Sequence, residues 1–264
     1  MKNFILFVLI FQATFLYGKI NIVTSIVPIK TFVKQIVQNK ANISVMVKPG
    51  SSPHTYEPKP SQMININKAN IYFAIGVEFE NSWLNKFHNQ NKNMHIVNLS
   101  DQIQKTKNPH IWVSPNKVKQ IAKNILDTMI KYDPNNSKFY TQNYKHFLQQ
   151  IDQTDNQIKE ILKNTPKGSS FMVFHPAWEY FANQYNLKQL AIEIDGKSPK
   201  PKELIKIIKT AKKYHIKAII ASKEFSTKTA DQIAKTLHIK VIQISPLASN
   251  WNDNLITLAK AIGK

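Results

Sequence analysis

Three histidines stand where regular structure must stop. His54 lies in Gly50-Ser-Ser-Pro-His-Thr-Tyr-Glu57-Pro-Lys-Pro60, His110 follows Pro109 and precedes Ile111-Trp-Val-Ser-Pro115, and His175 opens His-Pro-Ala-Trp178. A carboxylate, Glu193, follows the apolar run that ends at Ile192. Imidazole nitrogens bind divalent first-row metals, and three of them with one carboxylate make a tetrahedral set. Each residue also has a plain structural reading. His54 could be solvated, His110 could pack on Trp112, and Glu193 could steady the turn at Asp195-Gly196. It is the joint pattern that points to a metal site. The absence of cysteine removes thiolate ligands, disulfides and a cysteine nucleophile.

The elements that must position these residues alternate. Lys19–Thr24 reads as a strand and Ile29–Gln38 as a helix. Ile43–Val47 is a strand, Met63–Lys68 a short helix, and Ile71–Ile75 a fully apolar strand. A helix begins near Trp83, His95–Leu99 is a strand, and Asn116–Asp133 is a helix with Val118, Ile121, Ile125 and Ile130 on one face. The rhythm then breaks. Ser137–Asn164 runs without Gly or Pro at helical apolar spacing, which predicts one helix roughly 40 Å long. Alternation resumes with strands at 170–174, 188–192, 218–220 and 240–244, and helices at 178–185, 201–214, 228–237 and 254–262. This is an α/β chain of two doubly wound parallel-sheet lobes joined by one long connecting helix. The expected divisions are 1–18, 19–136, 137–165 and 166–264. In open parallel sheets ligands bind beyond the carboxyl ends of the strands. His54, His175 and Glu193 all follow strands, so two candidates in each half can converge where the sheets face each other.

Lys2 followed by an apolar run from Phe4 to Leu16, with Gly18 as a small residue, reads as an export signal, which makes the product periplasmic. Without cysteine it cannot be a lipoprotein. The net charge is +20, yet all 36 basic residues are lysine and they are scattered through the chain. Nucleic-acid readers lean on arginine for bidentate contacts, so we expect no nucleic-acid partner and read the lysines as solvated surface. Hydrophobic residues make up 42% of the chain, enough for a globular core.

The ordered motifs resemble the zinc and manganese solute-binding receptors of ABC importers. They are Gly50-Ser-Ser-Pro-His54-Thr-Tyr-Glu-Pro, His110-Ile-Trp-Val, Phe174-His-Pro-Ala-Trp-Glu-Tyr-Phe-Ala182 and Ile192-Glu-Ile-Asp-Gly-Lys-Ser-Pro199. The resemblance implies a monomeric receptor that binds a divalent metal and passes it to a membrane permease, without catalysis. By position, His54, His110 and His175 match the histidine ligands, and Glu193 matches a carboxylate ligand of some members. Ser245 and Glu57 are expected behind them. Many members carry a ligating aspartate where Ser245 stands, and zinc-specific members often carry a His-rich loop that is absent here. His88, His95, His146, His215 and His238 read as surface residues. Three nitrogens and one carboxylate favour zinc, with manganese as the alternative. The rival class is an exported zinc hydrolase, since three histidines with an open position is also a catalytic arrangement. It would need a general base such as Glu193 or Glu179, and no His-Glu-x-x-His run is present. A surface adhesin on the same fold is a third reading, which nothing in the sequence favours.

Overall fold

The structure, a computed structural model, describes residues 18–103, 106, 108–194, 197–225 and 227–263. The expected export signal lies almost entirely outside the described residues. Among those described, no helix is long and apolar enough to cross a membrane.

Two four-stranded parallel sheets carry the fold. The first contains β1 (Ile20–Thr24), β2 (Ala41–Val45), β3 (Ile71–Ala74) and β4 (His95–Asn98), in the order β2-β1-β3-β4. The second contains β5 (Ser170–Val173), β6 (Lys188–Ala191), β7 (Ala218–Ala221) and β8 (Lys240–Gln243), in the equivalent order β6-β5-β7-β8. Strand β3 is buried along its whole length, because a parallel strand inside a sheet is covered by helices on both faces.

Helices α1 (Val27–Val37), α2 (Pro60–Lys68), α3 (Glu78–Gln90) and α4 (Pro115–Tyr132) surround the first sheet. Helix α5 (Ser137–Leu162) follows, 26 residues long, or about 39 Å at 1.5 Å per residue. Helices α6 (Glu179–Gln184), α7 (Pro201–Lys213), α8 (Lys228–Leu237) and α9 (Trp251–Ile262) accompany the second sheet. Helix α9 packs against α5, which also lies along α1 and α4. Phe32 of α1 meets Phe147 of α5 at 5.6 Å between ring centroids and the edge of Trp251 of α9 at 5.5 Å. The C-terminal helix therefore packs against the first lobe, and one buried cluster runs from Ile22 through Ile151 to Phe181 and Leu258. A smaller core around Met172, Ile192, Ile219 and Ile233 belongs to the second lobe alone.

Candidate metal centre

Each histidine is fixed by its own local structure. The loop after β2 is pinned at both ends of its turn. The Tyr56 hydroxyl reaches the Met46 carbonyl at 2.5 Å and also meets Gln62 Oε1, while Gln62 Nε2 donates to Met46 O at 2.7 Å. Pro53 is buried, His54 N–H donates to Ser52 Oγ at 3.3 Å, and the Tyr56 ring stands edge-on to Phe79 of α3 at 5.3 Å. This last contact brings the start of α3 beside the loop. His54 Nδ1 then lies 3.0 Å from Glu78 Oε1.

His110 is held by Asn108, whose Oδ1 accepts from His110 N–H at 3.0 Å and lies 2.5 Å from Nδ1. The same amide donates to Pro176 O at 2.8 Å and Glu179 Oε2 at 3.1 Å. One side chain thus ties the His110 loop to the turn that carries His175. Trp112 adds a second tie by donating its indole N–H to Pro246 O at 2.8 Å. His110 is 6% exposed.

His175 follows β5 at the point where the strand order of the second sheet reverses, and the Phe225 ring stacks on it at 4.3 Å and 20°. Its Nδ1–H donates to Glu193 Oε2 at 2.7 Å; a carboxylate can only accept, which fixes the donor.

With the three Nδ1 atoms engaged outward, the three Nε2 atoms converge. His175 Nε2 lies 3.1 Å from His54 Nε2 and 3.4 Å from His110 Nε2. Ligand atoms of the three residues all fall within 4.8 Å of one another. A tetrahedral ion with Zn–N bonds of about 2.0–2.1 Å separates its nitrogens by about 3.3 Å, so this spacing suits a divalent ion at the centre. Among the described residues no other group of His, Cys, Asp or Glu is gathered in this way.

The site's electrostatics follow from this packing. Burial pushes His110 well below the usual histidine range, and the charges of His175 and His54 add to the effect. Burial works in the same sense on His54. There the hydrogen bond and charge of Glu78, with the charge of Glu193, outweigh it and leave the pKa raised. Burial would raise Glu78, but its pairing with His54 lowers it.

The four expected ligands are placed differently from one another. The three histidines meet. The Glu193 carboxylate spends Oε2 on the outer nitrogen of His175, behind the ring, instead of joining the nitrogen cluster. Ser245 Oγ donates to Glu224 Oε1 at 2.8 Å, and Glu57 is exposed on the His54 loop. His88, His95, His146, His215 and His238 are all exposed, and the His95 ring stacks on Tyr132 at 4.2 Å. Sequence reasoning missed Glu78 and Asn108. Asn108 carried a signal, being two residues before His110 and able to close a short side-chain-to-backbone turn. Glu78 carried none, because a helix start 24 residues downstream of His54 gives no hint of contact.

The family model described as zinc-uptake complex component A, periplasmic, matches residues 22–262. The high-affinity zinc uptake system protein ZnuA of Bacillus subtilis (strain 168) is 26% identical over 253 residues, covering 87% of this chain and 79% of that protein. The zinc-binding protein AdcA of Streptococcus pyogenes serotype M3 is 26% identical over 263 residues, covering 87% of this chain but only 51% of AdcA. A crystal structure of ZnuA superposes with a TM-score of 0.89 at 35% identity, covering 93% of this chain and 98% of that one.

Proposed function

The chain belongs to the family of periplasmic zinc-uptake component A receptors, and from that premise we propose that His54, His110 and His175 are the residues that hold its metal ion. The convergence of three Nε2 atoms, each with its Nδ1 turned outward to a partner, carries this reading. The ion is zinc in preference to manganese. Three nitrogen donors at tetrahedral spacing suit zinc, and manganese binds such donors more weakly and favours more oxygen. Glu193 acts from behind His175, and water or another small ligand completes the set.

The function is capture and delivery. The receptor, exported to the periplasm as a monomer, takes up the ion in the cleft between residues 19–136 and 166–264 and presents it to an ABC importer permease. Competitive titration of chelator-stripped protein tests the site. His54→Ala, His110→Ala and His175→Ala should each weaken zinc binding by well over tenfold, because each removes one of the three converging nitrogens. His88→Ala and His95→Ala should bind as the native protein does. Equal losses in both groups would overturn the assignment.

A further inference from the structure

The three imidazoles bind metal in their neutral form, so a divalent ion brings two positive charges into a partly buried site with no anion in the nitrogen cluster. Uncompensated charge in such surroundings is costly. Two carboxylates stand immediately behind the rings. Glu193 Oε2 is 2.7 Å from His175 Nδ1 and Glu78 Oε1 is 3.0 Å from His54 Nδ1, while the third ring meets the neutral amide of Asn108.

Glu78 is placed there by a built device. The chain turns at Gly76 with φ of 87°, a conformation that favours glycine. The buried Glu80 carboxylate then takes the N–H groups of Gly76 at 2.7 Å and Val77 at 3.1 Å, together with Ile75 N–H and the Ser25 hydroxyl. This fixes the first turn of α3, of which Glu78 is the first residue.

We propose that Glu78 is a positioning and charge-compensating residue of the metal site. It holds His54 with Nδ1 protonated and Nε2 free for the ion. Together with Glu193 it makes the loaded site neutral for a divalent ion, so no carboxylate has to touch the metal. The proposal rests on the three-histidine reading above. It also has a consequence for selectivity. The attraction of a carboxylate scales with the ion's charge, so Glu78 favours a doubly charged ion over a singly charged one that also binds imidazole.

The test compares Zn2+ and Ag+ titrations of chelator-stripped native protein, Glu78→Gln and Glu78→Asp, with His54→Ala and His110→Ala alongside. Glu78→Gln keeps an acceptor for Nδ1–H and loses only the charge. It should weaken zinc about 10–100-fold, as loss of a partner behind a ligating histidine does. It should weaken Ag+ by only about the square root of that factor. Glu78→Asp, which keeps the charge, should recover part of the zinc affinity. The Co2+ absorption spectrum should be unchanged in Glu78→Gln, since the atoms touching the ion are the same. Unaltered zinc affinity in Glu78→Gln, or equal losses of Zn2+ and Ag+, would overturn the proposal. Native zinc affinity in His54→Ala and His110→Ala would instead sink the three-histidine reading.

Discussion

His110 and His54 are neighbours in one cluster, yet the fold pushes their proton affinities in opposite directions. In the unfolded chain His110 takes up a proton as pH falls through about 6.5; the folded protein resists it. The metal-free protein therefore loses stability through His110 as pH drops below that value, until the depressed folded pKa is reached. His54 has the reverse sign. Its raised folded pKa gives a contribution that is fully present below about 6.5 and fades as pH rises through the raised value. Comparing native protein with His110→Gln isolates the first effect. The fall in urea midpoint between about pH 7.5 and about pH 5.5 should be smaller in the variant, and identical slopes would disprove it. Ser245 offers a second case. Its hydroxyl serves Glu224 Oε1, while Glu224 Oε2 is buried without a hydrogen-bond partner among the described residues. An aspartate at 245 would set two carboxylates against each other, so Ser245→Asp should destabilise the metal-free protein by about 1–3 kcal/mol. Adding Glu224→Gln should restore most of that in the same denaturation assay. The histidines were legible in the sequence because their type and their Pro-bounded loops are local features. Of their outer partners only Glu193 was singled out, and then as a ligand and not as the partner of His175 Nδ1. Asn108 was overlooked despite its local signal, and contact with Glu78 depends on how the His54 loop packs on α3.

At the scale of elements, the strand and helix rhythm was readable because parallel strands are short apolar runs and the helices carry apolar faces. The helix starts were harder. Helix α3 was expected from Trp83 but begins at Glu78, because Glu80 caps the turn from inside and the buried Phe79 carries the spacing of Trp83 and Phe87 one turn earlier. Helix α2 begins at Pro60 and not at Met63. Proline suits a first turn, and Gln62 Oε1 reaches back to Lys59 N–H at 3.0 Å. Helix α9 starts three residues before its expected Asn254, since Trp251 is buried and donates its indole N–H to Trp112 O at 2.7 Å. The Glu80 cap yields a prediction. Glu80→Ala strands the buried N–H groups of Ile75 and Val77 and should cost about 2–4 kcal/mol in urea unfolding. Zinc affinity should fall with it, because Glu78 loses its platform. Native stability in Glu80→Ala would show that the cap is dispensable.

At the scale of the whole molecule, the question is how far the lobes move when the ion binds. Helix α5 contributes Tyr140, Phe147, Ile151 and Ile158 to the cluster that also holds Phe171, Trp178 and Phe181 of the second half. Trp112 and Trp251 cross-link the halves by hydrogen bonds to Pro246 O and Trp112 O, and Asn108 does so beside the site. A hinge would have to break buried apolar packing and satisfied polar groups together, whereas close-packed interiors resist continuous deformation. Zinc should therefore leave the small-angle scattering profile of the native protein unchanged. Slowed amide exchange should be confined to the loops bearing His54, His110 and His175 and to the segment around Phe225. Trp112→Phe strands the Pro246 carbonyl and leaves a small cavity at a fully buried position, so it should cost at least about 1–3 kcal/mol and make the scattering profile respond to zinc. A large zinc-induced compaction in the native protein would mean that the shared core does not hold the lobes, and that the site is assembled by closure instead of standing ready between them.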